Sequence, residues 1–599
     1  MSTATNAQLL AADPSHSAWV SANAGTGKTH VLIDRITRLL LRGTRAEKIL
    51  CLTFTKAAAA EMENRLNDRL GEWAAAEPAD LKHKLRSLLD REPTDKEYAR
   101  GQRLFAEIID APEGLKIKTI HAFCESLLGR FSLEAQVAPN FQVMDERRAA
   151  ELRMESKNQI LHLSLNQTPT TLTQAMNHMA GLVDENGFAR IMAELDVSRA
   201  RLAEITSNHG NLDSLINSTR KALGLSPGTT RNDIIKSASS NTTIDRTALV
   251  LACQVLASGT PNEQARAKKI RTWLESDPST REIRFLEHYI PIFLTQKWLP
   301  RAPKGLITQN LAKSEPNTLS TLLEEQARIY EIAETLKGVA IAENTAAVLV
   351  IGDALFNTYE HLKSTRGLID YNDLISKAAA LLSDKAGASW VHYKLDGGID
   401  HILVDEAQDT SPAQWKVISR LAGDFFSGVG RIDPENFSLG RTIFAVGDEK
   451  QSIYSFQGAD PAQFAIIGAE FSAKIEAARQ NWCSLEMEKS WRSTPPILSV
   501  VDHVFRTPEA SDGLTWAENS KISHQTTRQE DAGRVEWWPM ISASDAIETD
   551  PWDAPVDQIP GDDPRIQLSE TIAETIKNWL TSGEILESRG RAVTAGDIM

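Results

Sequence analysis

With 599 residues the chain is too long for one hydrophobic core, because cores stop growing at roughly 250 to 300 residues, so several domains are expected. Its 42% hydrophobic and 24% charged residues exclude wholesale disorder and a fibrous architecture. A net charge of -15 argues against nucleic-acid binding by overall electrostatic attraction, while leaving room for a local groove of a few cations and aromatics.

The N-terminus has no basic region followed by an apolar stretch. No run approaches the roughly 18 apolar residues of a membrane span, so a soluble, cytoplasmic protein without a membrane partner is expected. Cys51, Cys124, Cys253 and Cys483 are scattered without a C-x-x-C pair, which points to free thiols rather than a zinc ribbon or disulfide framework. The run AWVSA at 18–22 reads as a buried parallel strand leading into Ala22, Asn23, Ala24, Gly25, Thr26, Gly27, Lys28 and Thr29. That string matches the phosphate loop G-x-x-x-x-G-K-[ST], except that Ala22 replaces the first glycine. Its backbone N–H groups and the next helix N-terminus would cradle phosphates, Lys28 would reach the β- and γ-phosphates, and Thr29 would bind Mg²⁺. Val31, Leu32, Arg35, Ile36, Leu39 and Leu40 follow at helical spacing, with Gly43 as a stop. KILCLTF at 48–54 repeats the strand, and Met62, Leu66 and Leu70 mark the helix after it.

From 146 to 365 long helical patterns and polar connections replace sheet-like alternation, as expected of a helical insertion between two halves of an α/β domain. LIDYNDLISKAAALL at 368–382 returns the chain to the first domain. DHILVDE at 400–406 is a strand whose end delivers Asp405, able to hold Mg²⁺ through its hydration shell, and Glu406, able to polarise an attacking water. TIFAVGD at 442–448 leads into a string in which Gln451 could touch a γ-phosphate, while Tyr454 and Phe456 could stack on bases. Beyond Trp482 a second unit is expected, with a strand-like RVEWWPM at 534–540, an exposed acidic, Pro-rich loop at 545–563 and an amphipathic helix from Leu568. Taken singly, each string has a plainer reading: a glycine turn capping a helix, a solvated acidic strand end, or aromatics in a core.

Together with LTFTKAAAAEM at 52–62, TIHAFC at 119–124 and LEMEKSWRST at 485–494, these strings resemble superfamily 1 helicases of the UvrD/Rep type, in the correct order. The resemblance implies a RecA-like P-loop NTPase fold of class α/β: a first motor domain (1A) over 1–145 and 366–480, a helical insertion domain (1B) over 146–365, and the beginning of a second RecA-like domain (2A) over 481–599. It implies that Gln8 reads the adenine, that Trp491 stacks on it, and that Arg492 contacts the γ-phosphate. His30 stands where related helicases often have arginine. Thr53, Phe54, Thr55, His121 and Phe123 match the family's single-strand contacts, although His121 could equally be a hydrogen-bonded core histidine.

Phe456 stands where tryptophan is common and Gln457 where arginine is common, and both differences are similar to the AddA branch. That branch implies an ATP- and Mg²⁺-dependent DNA helicase subunit of double-strand break repair, acting on single- and double-stranded DNA ends with an AddB-like partner in a heterodimer. The family's later motifs T-x-H-x-x-K-G-L-E and T-R-A do not occur before Met599, so the second motor domain and the nuclease of that branch are expected to be incomplete or missing here. The 599 residues alone are accordingly expected to bind ATP and Mg²⁺ yet hydrolyse slowly. Alternative readings are a general UvrD-like repair helicase without a nuclease partner, and an inert DNA-binding scaffold, which the intact Lys28, Thr29, Asp405, Glu406, Gln451 and Arg492 oppose. A small-molecule kinase would leave the strings at 53–62 and 447–460 unexplained.

Overall fold

Apolar runs of five or six residues can be buried on both faces only where neighbouring strands run parallel and helices cover the sheet. The computed structural model describes residues 6–111, 114–165, 170–383, 390, 391, 394, 398–426, 440–455, 458–514, 522–542 and 563–599. It divides into two compact units, one of residues 1–141 with 371–599 and one of residues 142–370.

In the first unit the strands are β1 (Ser17–Ala22), β2 (Ile49–Thr53), β3 (Lys116–Thr119), β6 (His401–Val404), β7 (Thr442–Gly447) and β8 (Trp482–Met487); the second unit holds β4 (Gln142–Val143) and β5 (Leu368–Ile369). The six strands of the first unit form one sheet in the order β3-β2-β6-β7-β1-β8, with every neighbouring pair parallel. This order gathers the carboxyl ends of β6, β7 and β1 side by side, where ligands of open α/β sheets bind.

On one face of the sheet, helix α2 (Lys28–Leu41) follows α1 (Asn6–Ala11) and packs with α3 (Lys56–Ala74). Val31, Leu32, Ile36 and Leu39 of α2 share a core with Met62, Leu66 and Leu70 of α3 and with Val20, Cys51 and Phe444 of the strands. Elsewhere in the unit, Trp19 of β1 stacks on Phe464 at 4.9 Å and lies 5.4 Å from Trp415. Gly468, in the helix Pro461–Ala477, permits this packing, since a Cβ there would lie 2.8 Å from the Trp19 indole nitrogen.

Buried Arg35 of α2 donates to the carbonyls of Ala11, Asp13 and His16, and Arg38 donates to those of Leu9 and Leu88. An arginine without surface exposure needs such a set of acceptors. Here they bind the segment after α1 to α2.

Two expectations are corrected. The sheet extends past the boundary expected at 480, because β8 pairs with β1 from Ser17 opposite Trp482 to Ala22 opposite Met487. RVEWWPM at 534–540 forms no strand; Trp537 and Met540 are exposed, and among the described residues no neighbouring strand offers the hydrogen bonds a β conformation needs. The acidic stretch from 545 to 562 lies outside the described residues.

The second unit is built around the 51-residue helix Pro316–Arg366. Its residues enter four successive cores: Leu322, Ile329 and Leu336, then Val339 and Ala342, then Ala347 and Ile351, then Tyr359 and Leu362. Among the described residues it is the one helix long and apolar enough to cross a membrane by length and composition, with an 18-residue window of mean hydropathy 1.6, although polar and charged residues interrupt it throughout. The parallel pairing of β4 with β5 brings the two ends of the unit together. Beside them, buried Asp370 accepts from Arg199 at 2.7 Å, from Tyr359 at 3.2 Å and from Lys363 at 3.3 Å.

Candidate functional site

Strand β1 ends on buried Ala22, and the N–H of Asn23 donates to the Met487 carbonyl of β8 at 3.1 Å. Ala22 is still part of the ladder and has ordinary strand geometry, so the position needs no glycine. Gly25 and Gly27 do need to be glycine, with φ of +75° and +87°. The Thr26 hydroxyl closes the loop by donating to the Asn23 carbonyl at 2.8 Å. Helix α2 starts at Lys28 with Gly27 as an N-cap that offers no side chain, so the helix N-terminus and the loop amides face one place. Ala24 lies within this loop, and Thr29 is the second residue of the helix.

Three segments meet the loop or its lysine, and a fourth is joined to them through Gln408. From α1, the buried Gln8 amide donates to the Thr26 carbonyl at 2.9 Å and lies 3.2 Å from where a Cβ on Gly27 would be. From the segment after β8, the Trp491 N–H donates to the Gly25 carbonyl at 2.7 Å. A Cβ on Gly25 would lie 2.6 Å from the Arg492 Cβ and 2.7 Å from the Ser490 hydroxyl, so Gly25 is excluded from bearing a side chain on two grounds. The Arg492 guanidinium is exposed and has no hydrogen-bond or ion-pair partner among the described residues.

From the end of β6, Glu406 lies 3.2 Å from the largely buried Lys28 ammonium. Glu406 has φ +47°, a left-handed geometry that costs a side-chain-bearing residue about 1–2 kcal/mol. Burial, reinforced by the neighbouring Glu406 charge, pushes the Asp405 carboxyl up to about 6. Asp405 and Glu406 crowd two carboxylates at the end of β6, and Thr29 brings a hydroxyl at the helix start, all hard oxygen donors of the kind Mg²⁺ takes. No group of three or more His, Cys, Asp or Glu gathers as a metal site among the described residues, so such a cation would take its other ligands from phosphate and water.

The fourth segment follows β7. Gln451 is exposed and donates to Asp448 at 2.5 Å. Buried Gln408, which the sequence reasoning passed over, links these ends: its amide donates to Glu406 at 2.9 Å and to Asp409 at 3.2 Å, while its carbonyl accepts the Asp448 N–H at 2.8 Å. A Cβ on Gly447 would lie 2.7 Å from that carbonyl oxygen, so the glycine ending β7 makes room for it. Asp409 is likewise pushed up to about 6 by burial.

The residues read as strand contacts divide. Phe54 and Tyr454 pack at 4.4 Å, bringing the segment after β2 against that after β7. The Thr55 hydroxyl caps α3 by accepting from Ala58, and buried Thr53 donates to the Thr55 carbonyl. His121 sits edge-on to Tyr371 at 5.4 Å, and burial lowers its pKa. Phe123 is a core residue, 7% exposed, so its ring is not available for stacking on a base. His30 points along α2 to Asp34 at 3.5 Å, and Asp34 also pairs with Arg69. Phe456 and Gln457 lie outside the described residues.

This loop and its four partners lie within, or just beyond, the stretch from residue 3 to residue 472 that matches the UvrD/REP helicase N-terminal domain. The chain belongs to the UvrD/REP helicase family. It is similar to proteins named as ATP-dependent helicase/nuclease subunits of the AddA type. It is 24% identical over 529 residues to that of Lactobacillus acidophilus, covering 85% of this chain and 40% of the relative. Against that of Lactobacillus johnsonii it is 26% identical over 509 residues, covering 81% and 38%. Against that of Latilactobacillus sakei subsp. sakei it is 24% identical over 619 residues, covering 97% and 63%. This UvrD/REP chain thus spans about 40% of the length of the first of these relatives.

Proposed function

We propose that the chain is the ATP-hydrolysing motor portion of a DNA helicase that unwinds and resects DNA ends in double-strand break repair. The observation that carries this reading is the meeting of Gln8, Lys28, Glu406, Trp491 and Arg492 around one glycine loop. Membership of the helicase family and the name of the similar proteins support it.

In this reading Lys28 and the loop amides hold the β- and γ-phosphates, Glu406 takes a proton from the attacking water, and Arg492 stabilises charge on the transferred phosphoryl group. Gln8 and Trp491 hold the adenine, and Gln451, tethered to Asp448, reports on the γ-phosphate. Mg²⁺, held by Thr29 and Asp405, would neutralise phosphate charge. Phe54, Thr55, His121 and Tyr454 meet single-stranded DNA, with stacking on aromatic faces giving sequence-independent grip. Residues 142–370 serve as the helical insertion domain, and residues after β8 as the start of a second motor domain. An AddB-like protein is the expected partner, and the cytoplasm the expected location.

The test is ATP hydrolysis with and without single-stranded DNA. Glu406→Gln is expected to retain nucleotide binding and to lose about 10²-fold or more of the hydrolysis rate. A rate equal to that of the unmodified chain would overturn the reading.

A further inference from the structure

Arg492 has no side-chain partner of its own among the described residues, so what the structure fixes is the point from which its side chain starts. That backbone is held from both sides. On the loop side, the Trp491 N–H bonds to the Gly25 carbonyl. The Ser490 hydroxyl accepts from the N–H groups of Arg492 and Ser493, each at 3.3 Å, turning the chain tightly around the future guanidinium.

The opposite side is formed by a segment more than thirty residues later in sequence. Lys489 and Ser490 pair in parallel with Gln525 and Thr526. The buried Thr526 hydroxyl lies 2.7 Å from the Ser493 carbonyl and 3.1 Å from that of Ser490, and the Thr527 N–H donates to the Ser490 carbonyl at 3.0 Å. Arg528 donates to the Arg492 carbonyl itself at 2.7 Å, while its Nε pairs with Asp531 at 2.5 Å. Because Asp531 neutralises Arg528, the second arginine does not compete for the same anion; it acts on its neighbour's backbone.

We propose that Thr526 and Arg528 are positioning residues that fix the Ser490–Ser493 turn against the glycine loop, so that Arg492 is set in advance towards the terminal phosphate of a bound nucleoside triphosphate. This rests on the nucleotide-site reading above. Such pre-setting of the backbone lowers the ordering cost of the binding step and favours the ligand that has the extra phosphate. A nucleoside diphosphate, lacking that phosphate, gains nothing from it.

The experiment is competition of ATP and ADP, each with Mg²⁺, against a fluorescent ADP on the 599-residue chain, reading the ratio of the two affinities. Arg492→Ala is expected to reduce the preference for ATP by at least about tenfold. Arg528→Ala and Thr526→Val are expected to reduce that preference by at least about threefold while leaving ADP affinity within about twofold, and Arg528→Lys to retain part of it. The double variant Arg492→Ala/Arg528→Ala should be no worse than Arg492→Ala. Loss of both nucleotides in parallel in Arg528→Ala and Thr526→Val would mean a general structural role and overturn the proposal. So would an unchanged ratio in these two variants beside a collapsed one in Arg492→Ala, or an unchanged ratio in Arg492→Ala. Undiminished binding of both nucleotides by Lys28→Ala would instead overturn the nucleotide-site reading beneath it.

Discussion

Gly25 shows how strongly single positions are determined here. Its positive φ disfavours any side chain, and the space a Cβ would need is taken by Ser490 and Arg492. Gly25→Ala is expected to lower stability by about 1–2 kcal/mol from backbone strain alone, and to weaken ATP binding further by pushing the Arg492 turn away. Thermal unfolding and nucleotide titration of the same variant separate the two effects; an unchanged affinity would show that the contact is incidental. His401, at the start of β6, is a second such position. Burial, with Arg35 and Arg441 nearby, pushes its imidazole down to about 3 from an unfolded value near 6.5. Between those values the unfolded chain binds a proton that the folded chain refuses. The stability is therefore complete above about 6.5 and declines as the pH falls towards 3, by up to about 1.4 kcal/mol per pH unit from this residue. Urea unfolding at pH 7.5 and 5.5 measures the slope, and His401→Asn, which can still bond Thr442, is expected to flatten it.

At the scale of elements, the parts written in consecutive residues are the parts the sequence makes legible. β1, its glycine loop and α2 follow one another, and β2, β6 and β7 are continuous apolar runs bounded by polar residues, so period and composition locate them. β8 is harder, because an edge strand half-exposed along its length lacks that continuous apolar signal. RVEWWPM has the composition of a strand but, among the described residues, no neighbour to pair with, which composition cannot reveal. Gln408 illustrates the same limit within the site: its importance depends on Gly447, which ends a different strand, and nothing in the local string marks it. Phe123 fits a motif by identity, yet its helix turns it into the core. In the helical unit the Asp370 cluster is equally non-local, joining Arg199, Tyr359 and Lys363. Asp370→Asn takes one of two carboxylates from buried Lys363, which keeps Glu360 at 2.6 Å, and weakens the pairing of Arg199, and is expected to cost about 1–3 kcal/mol in chemical denaturation. A loss under about 1 kcal/mol would mean that water reaches this site freely.

At the scale of the whole molecule, a sheet-based unit carries every described residue of the candidate site, and the helical unit of residues 142–370 separates its two stretches in sequence. The net charge of -15 means that attraction of DNA must come from local surfaces, not from the molecule's overall field. Motor action requires first that the glycine loop bind a nucleoside triphosphate through Lys28, with Glu406 beside it. Calorimetric titration of the 599-residue chain with ATP and Mg²⁺ tests this most directly. Saturable binding is predicted for the unmodified chain, with affinity reduced at least about tenfold, or 1.4 kcal/mol, in Lys28→Ala. Equal affinity of the two proteins for ATP would contradict the account.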